Sequence, residues 1–360
     1  MTSVHALRKS SPTFARILSL EPLDLKSVRT ALPAQSALVE FAPTTNALYS
    51  IIVQPDTAYI HKTNVTSQYL SSVIRDYLQL ISELRLTTYG LRMSEPAALQ
   101  RINEISSVLH TIFIAPILAE VRNAQKLYLV LPEEFTWLPV HTFRGEGGAL
   151  GVRTNISYLP SAVALLFPQE KEHWTKKIIG LGHPGTTTWD VEYELKDIRS
   201  FFDGVGLLFD TTATLSHLMD STYDILHIAA EVTLDRVVPQ NSCVILADEA
   251  RPIGVRKVPL GEMLKLPAPQ ALIFSNVSAT PGGLSRYAPL AFLTNGTRIV
   301  IASMWQGDRR AKKAFGEGFY TNLFAGTPAS EAYYRSIVAM AKHDEMSHIQ
   351  RWGMYYQFGK

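Results

Sequence analysis

The chain has 360 residues and a formal net charge of +2, which argues against a strongly basic nucleic-acid-binding protein. Hydrophobic residues make up 46% of the chain and charged residues 18%, proportions that are typical of a folded globular protein. The single cysteine, Cys243, excludes an intrachain disulfide and fits a reducing compartment, so we expect a cytoplasmic protein. The sequence contains no run of about 18 apolar residues, so it predicts no membrane-spanning segment and no membrane contact.

The N-terminal part of the chain predicts a lead-in segment followed by a small α/β lobe. Residues 1–35 are polar and interrupted by prolines, and we interpret them as the lead-in segment. The Gly145–Gly148 loop is the best internal boundary, and it separates a smaller lobe over residues 36–145 from a C-terminal part over residues 146–360. Within the smaller lobe, hydrophobic patterns predict strands over Ser36–Phe41, Ala47–Val53 and Lys126–Leu131, and helices over residues 65–86 and Glu95–Phe113.

The C-terminal part alternates strands with helices, and this alternation predicts an α/β fold with a mostly parallel sheet and helices on both faces. Helices are predicted over residues 190–202, 308–324 and 328–341, with shorter ones after Ser161 and over Thr214–Met219. Strands are predicted over Asn155–Tyr158, Lys177–Leu181, Val205–Phe209, Ile225–Ala229, Ser242–Leu246, Ala271–Phe274 and Arg298–Ala302.

Two of these strands run into short polar loops, and the functional site is predicted there. The first stretch is Ile225–Val232, and the second is Ala271–Thr280, followed by Pro281-Gly282-Gly283. Continuous apolar runs are typical of strands that are buried on both faces. Functional groups in parallel sheets lie just beyond the carboxyl ends of the strands. We therefore expect the two strands to be adjacent and parallel, with Glu231 and Val277 close together in one crevice.

These stretches resemble the CHAT domains, the caspase- and separase-like cysteine peptidases. The family's strands typically end in Leu-His-x-Ala-x-His-Gly and Leu-Ser-Ala-Cys-x-Thr-Gly, and the second histidine and the cysteine form the catalytic dyad. This chain reads Leu226–Ala230 with Glu231 at the histidine position, and Phe274–Asn276 with Val277 at the cysteine position. The resemblance extends over residues 36–345 and implies a caspase-like α/β sandwich whose dyad has been substituted.

The two substitutions remove the chemistry that a cysteine peptidase needs. The enzyme requires a thiolate and an adjacent imidazole that lowers the thiol pKa and carries a proton. Valine offers no nucleophilic atom, and a glutamate base at residue 231 has nothing to activate. The alternative is a hydrolase whose nucleophile has moved to Ser275 or Ser278, although no histidine partner is evident for either hydroxyl. Cys243 lies on a predicted strand and is interpreted as a small buried hydrophobe.

Three further features of the sequence have a functional or a structural interpretation. Gly180–Gly185 fits the spacing of a dinucleotide-binding loop, but Pro184 interrupts the motif, and a plain turn is favoured. Asp308 follows Ile299–Gly307, a stretch similar to a family segment that borders the substrate pocket. The basic cluster Arg309–Lys313 is interpreted as a solvated helix face.

The sequence therefore predicts a catalytically inactive CHAT-domain pseudoprotease that binds other proteins or regulates them. The resemblance implies an active protease or another assembly subunit as the partner, in a bacterial defence or protease-signalling system. No cofactor and no metal is expected, because the ten histidines form no ligand motif. The candidate binding residues are His227, Glu231, Ser275, Asn276, Val277 and Asp308.

Overall fold

The computed structural model describes residues 23–85, 95–167, 174–183, 189–202, 204–233, 235, 242–251, 254–278, 287–305 and 307–360. The strands are β1 (Ser36–Pro43), β2 (Ala47–Val53), β3 (Ala58–Asn64), β4 (Lys126–Val130), β5 (Arg144–Gly145), β6 (Gly148–Ala149), β7 (Asn155–Leu159), β8 (Ile178–Gly182), β9 (Val205–Phe209), β10 (Ile225–Ile228), β11 (Val232–Thr233), β12 (Cys243–Ala247), β13 (Val255–Pro259), β14 (Ala271–Phe274), β15 (Val277–Ser278), β16 (Ile299–Ser303) and β17 (Tyr355–Gly359).

The helices connect these strands and cover the sheet. They are α1 (Leu25–Ala31), α2 (Ser67–Arg85), α3 (Glu95–Phe113), α4 (Leu118–Val121), α5 (Leu150–Arg153), α6 (Trp189–Phe201), α7 (Leu215–Met219), α8 (Leu260–Met263), α9 (Tyr287–Thr294), α10 (Arg309–Phe324), α11 (Ala329–Lys342) and α12 (Ile349–Trp352). Short 3₁₀ helices lie at Ala115–Ile117, Glu133–Phe135, Val140–Thr142, Ala162–Leu166 and Asp210–Thr212.

Most of the strands form one central sheet, in the order β3-β2-β1-β4-β7-β17-β16-β14-β10-β8-β9. Within this order, the neighbouring strands β1, β4, β7 and β17 are parallel to one another. The strands β16, β14, β10, β8 and β9 are also parallel to one another. The two blocks run in opposite directions because β16 and β17 pair antiparallel. The predicted α/β fold with a mostly parallel sheet is thus confirmed, with antiparallel strands β2 and β3 added at one edge.

The last strand, β17, lies in the middle of this sheet, and the sequence did not predict it. It pairs with β16 along Ile299–Ser303 and contacts β7 through Phe358 and Tyr158. All five residues of β17 are buried. The sheet therefore runs across the predicted boundary at residues 145–148, where the short hairpin β5–β6 lies. The division into two lobes stays a prediction.

Helices α2 and α3 pack against each other beside the N-terminal strands. Ile102, Leu109 and Phe113 of α3 are fully buried, and the ring of Phe113 lies 5.0 Å from that of Phe41, centroid to centroid, in an edge-on contact. Among the described residues, the helical stretch Pro96–Val121 is long and apolar enough to cross a membrane, but 44% of its most apolar window is buried inside the protein. Its apolar side chains thus contribute to the core.

His141 joins the N-terminal strands to the end of the chain. It is buried, its Nδ1 lies 2.7 Å from the Tyr158 hydroxyl, and its Nε2 lies 2.8 Å from the Gly353 carbonyl oxygen. A carbonyl only accepts hydrogen bonds, so Nε2 carries the proton and Nδ1 accepts from the tyrosine. Burial lowers the pKa of His141 to about 4, so the ring is neutral at pH 7. His141 therefore has a structural role, because both of its ring nitrogens are hydrogen-bonded inside the core.

Candidate functional site

The site lies where β10 and β14 end. These strands are adjacent and parallel, with Ile225 opposite Ala271 and Ile228 opposite Phe274, which confirms the predicted arrangement. Beyond them the chain enters a second sheet in the order β13-β12-β11-β15. There Val232 pairs with Val277, and the Val232 amide donates to the Asn276 carbonyl at 3.0 Å. Glu231 and Val277, which the sequence resemblance aligns with the family dyad, are therefore near neighbours.

Their side chains nevertheless point to opposite faces of the second sheet. Val277 and Val232 form a pair on one face, and both are buried, with 1% and 0% of their surface exposed. Side chains alternate along a strand, so Glu231 points to the other face. Glu231 is half-buried there and lies close enough to Cys243 to contribute to raising its pKa. We call this the outer face, formed by Glu231, Thr233, Cys243, Ile245 and Lys257, because the register aligns these residues across β11, β12 and β13.

A buried ionic network lies directly behind the site. His227 of β10 contacts the Glu194 carboxylate through Nε2 at 2.8 Å and the Tyr320 hydroxyl through Nδ1 at 2.7 Å. The Lys312 ammonium donates to the second Glu194 oxygen at 3.0 Å. The Glu194 and Lys312 side chains are each only 4% exposed. The network therefore ties helices α6 and α10 to the central strand β10.

Electrostatics keeps the Glu194 carboxylate charged inside the protein. Burial alone would raise its pKa, but the Lys312 ammonium and the hydrogen bond from His227 outweigh that effect and lower the pKa to about 2. The same burial, together with the carboxylate charge, raises the pKa of Tyr320 well above its ordinary value. A charged carboxylate and a neutral phenol thus hold the two sides of the His227 ring.

Ser275 lies beside this network, and its side chain is one of the hydrogen-bond partners that lower the pKa of the Glu194 carboxylate. Both ring nitrogens of His227 are engaged by Glu194 and Tyr320, so neither is available to take a proton from a serine. Ser275 is 1% exposed, and its hydroxyl lies 3.4 Å from the Ile228 carbonyl oxygen, to which it donates. The Ser275 hydroxyl is therefore buried between the end of β10 and the Glu194 carboxylate. For Ser278, the structure gives the backbone pairing with Thr233.

The remaining candidates also have structural partners. The Asn276 side chain is buried, and its amide lies 3.5 Å from the Ala229 carbonyl oxygen. Asp308 caps helix α10 by accepting from the Ala311 amide at 2.8 Å, and its other oxygen accepts from Arg351 at 2.7 Å. Asp308 is therefore a helix cap with an ion pair, and both of its carboxylate oxygens already have donors.

Cys243 lies on β12 and is almost fully buried. Burial raises the pKa of its thiol, so the thiolate that attack on a peptide bond needs is disfavoured at neutral pH. Only 6% of the residue is exposed. The described residues contain no group of three or more His, Cys, Asp or Glu side chains that could hold a metal ion.

Two glycines of the Gly180–Gly185 motif have a packing role. A Cβ atom at Gly182 would lie 2.7 Å from side-chain carbons of Leu195 and Val191, and one at Gly180 would lie 2.8 Å from Leu195. These glycines therefore allow α6 to approach β8 closely. Residues 184–188, which include Gly185, lie outside the described residues.

Sequence reasoning missed Glu194 and Lys312. Lys312 was assigned to a solvated basic face, and this is wrong for that residue, although Arg309, Arg310 and Lys313 are exposed as expected. The signal was its spacing, because Lys312 precedes the buried Phe315 and Phe319 by three and seven residues and so shares their helix face. A carboxylate had to be its partner, but its identity required the tertiary structure.

Comparisons with known proteins agree with this fold. The chain shares its fold with the separase–securin complex of Saccharomyces cerevisiae, in crystal structures at 2.6 and 3.0 Å resolution, with TM-scores of 0.54 and 0.53 and 10% and 9% sequence identity. Both alignments cover 93% of this chain but only 30% of the matched one, so the chain spans less than a third of that protein. No curated protein sequence matches. The model of the CHAT domain matches residues 103–360, well over half of the chain, and the chain therefore belongs to the CHAT domain family, with a caspase-like peptidase fold.

Proposed function

We propose that this peptidase-fold domain hydrolyses no peptide bond and acts as a protein-binding or regulatory subunit. The observation that carries the proposal is the pair of residues at the dyad positions. Val277 is a buried apolar side chain, and Glu231 points to the opposite face of the second sheet. A thiolate and an imidazole in contact are the minimum that the family's chemistry requires, and both are replaced.

The buried network supports the same proposal. A catalytic base must be able to exchange a proton with the reacting group. His227 lies on β10 close to the two strand ends, and its nitrogens are held by Glu194 and Tyr320. The network consequently stabilises the framework of the site and occupies both nitrogens of His227. The carboxylate that Ser275 contacts is Glu194, and its pKa of about 2 makes it a weak base for a relocated serine nucleophile.

The outer face is the binding surface that we propose. It presents the Glu231 carboxylate beside Thr233, Ile245 and Lys257, which is a mixture of charge and apolar surface that suits a protein partner better than a small apolar ligand. Glu231 favours a basic group on that partner. An active protease or another subunit of an assembly is the class of partner that the family resemblance implies.

The enzymatic half of the proposal is tested with purified protein. We expect no turnover of casein or of a peptide library, and no labelling by serine- or cysteine-directed activity probes, with an active cysteine peptidase assayed in parallel. Turnover that disappears in Ser275→Ala, Ser278→Ala or Cys243→Ser would overturn the proposal and identify the nucleophile.

The binding half is tested by affinity capture from the native host. Glu231→Arg should weaken capture of the partner through like-charge repulsion, because the substitution places a cation against the basic group that we expect. The control is Glu317→Arg, which makes the same charge change at an exposed position of α10. Equal capture by wild type and both variants would place the interface elsewhere.

A further inference from the structure

The two edges of the central sheet differ in how they are protected. At one edge, β3 carries His61 and Lys62, and charged side chains on an edge strand oppose pairing with another chain. At the other edge, β9 reads Val205-Gly206-Leu207-Leu208-Phe209 and contains no charged residue. Among the described residues, β8 is its only neighbour in the sheet. An uncharged edge strand is a ready template for an additional strand.

The hydrogen bonds of β9 show which peptide groups face outward. The Phe209 amide donates to the Thr212 hydroxyl at 2.9 Å, and that hydroxyl donates to the Phe209 carbonyl at 2.7 Å. Successive peptide groups alternate in direction along a strand, so those of Val205 and Leu207 face outward as well. The Thr212 hydroxyl thus engages the outward peptide groups of Phe209 at one end of the edge. The outward peptide groups of Val205 and Leu207 are the donors and acceptors for an incoming strand.

Helix α6 extends a charged flank beyond the same edge. Val191 and Leu195 face the sheet, and Glu194 and Asp197 face α10. Helical periodicity then directs the flank formed by Glu192, Lys196 and Arg199 away from α10, over the β9 side. Its charge changes from acidic near the N-terminus of the helix to basic near the C-terminus.

This order of charges makes the flank of α6 complementary to the same flank of a second copy of the chain. When two copies of the helix lie antiparallel, Glu192 of each copy comes opposite Arg199 of the other, and the helix dipoles are also opposed favourably. An antiparallel pair of β9 strands has the same two-fold symmetry, with Leu207 near the axis. We propose that the chain forms a homodimer in which β9 pairs with β9 and the two central sheets join, while the α6 flanks form ion pairs across the axis.

The test is the oligomeric state of the full chain, measured by sedimentation equilibrium over a range of concentrations. We expect the wild type to dimerise and Arg199→Glu to weaken the dimer roughly tenfold or more, since two ion pairs become two repulsions. The double exchange Glu192→Arg with Arg199→Glu should restore dimerisation. Arg199 is exposed, whereas Glu192 is half-buried and pairs with Lys196 of its own helix at 2.6 Å, so circular dichroism and thermal unfolding check that each variant remains folded.

Two further variants separate this edge from other modes of association. Leu207→Pro removes an outward-facing donor and should abolish the dimer, with thermal unfolding measured to confirm that the monomer remains folded. Ile60→Lys, at the β3 edge, where Ile60 is 70% exposed, should leave the dimer unchanged. A wild type that stays monomeric at all concentrations overturns the proposal. So does a dimer that persists in both Arg199→Glu and Leu207→Pro, or one that is lost in Ile60→Lys.

Discussion

Removing the Lys312 ammonium should strongly destabilise the fold, because Glu194 would then be a buried carboxylate with too few donors. The Glu194 pKa of about 2, against an ordinary value of 4.5, corresponds to about 3 kcal/mol of stability at neutral pH. Breaking a buried ion pair by removing one partner costs a similar amount, about 3–5 kcal/mol. We expect Lys312→Met to lower the free energy of unfolding by about 3 kcal/mol at pH 7.

The pH dependence gives this prediction a second signature. A depressed carboxylate pKa stabilises the fold above the unfolded pKa of about 4.5, and this contribution is lost as the pH falls through about 2. The difference between wild type and Lys312→Met should therefore shrink as the pH falls from 5 towards 2. Adding Glu194→Gln to Lys312→Met should recover part of the loss, because the uncompensated charge disappears.

Urea unfolding monitored by circular dichroism at several pH values measures these quantities. Lys313→Met is the matched control, since that neighbouring lysine is 48% exposed and lies 4.0 Å from Asp197, so its loss should cost under about 0.5 kcal/mol. If Lys312→Met costs no more than Lys313→Met at pH 7, the network does not hold the charge that we assign to it.

Two other perturbations follow from the structure. His141 is neutral when folded and has a pKa of about 4, so its protonation in the unfolded chain should remove stability as the pH falls from about 6.5 to 4, and His141→Gln should flatten that part of the stability profile; an unchanged slope in the variant would contradict the assignment. Gly182→Ala should cost about 1–3 kcal/mol because its Cβ would overlap Leu195 and Val191, whereas Gly261→Ala, which has open space around it, should be nearly neutral in thermal unfolding; equal melting temperatures would refute the packing role.

Local pattern sufficed for the strands that surround the site. The apolar runs at residues 225–229 and 271–274 are short, buried on both faces and parallel, as their composition predicted. Periodicity also located α2 and α3, because each buries one stripe of side chains. The strand β3 was missed, since its residues are mostly exposed and its position at the sheet edge imposes no apolar pattern.

The parts that failed depend on contacts between distant segments. Lys312 appears in a basic run, and only its contact with Glu194, 118 residues earlier, explains its burial. Glu231 and Val277 were correctly placed on neighbouring strands, but the faces to which they point depend on the register of β11 and β15, each two residues long. β17 is an aromatic stretch whose central position is set by the pairing with β16 and β7.

The central location of β17 also constrains how the chain acquires its fold during synthesis. A ribosome produces all the other described strands of the sheet before it reaches Tyr355–Gly359, yet this segment lies between β7 and β16. Until it is inserted, the nascent protein consists of two separate parallel blocks, each with an unpaired inner edge. Exposed edges of this kind invite aggregation and make chaperone contact valuable. Joining of the two blocks is therefore a late event in folding, and a chain that stalls before Tyr355 would present both inner edges to the cell.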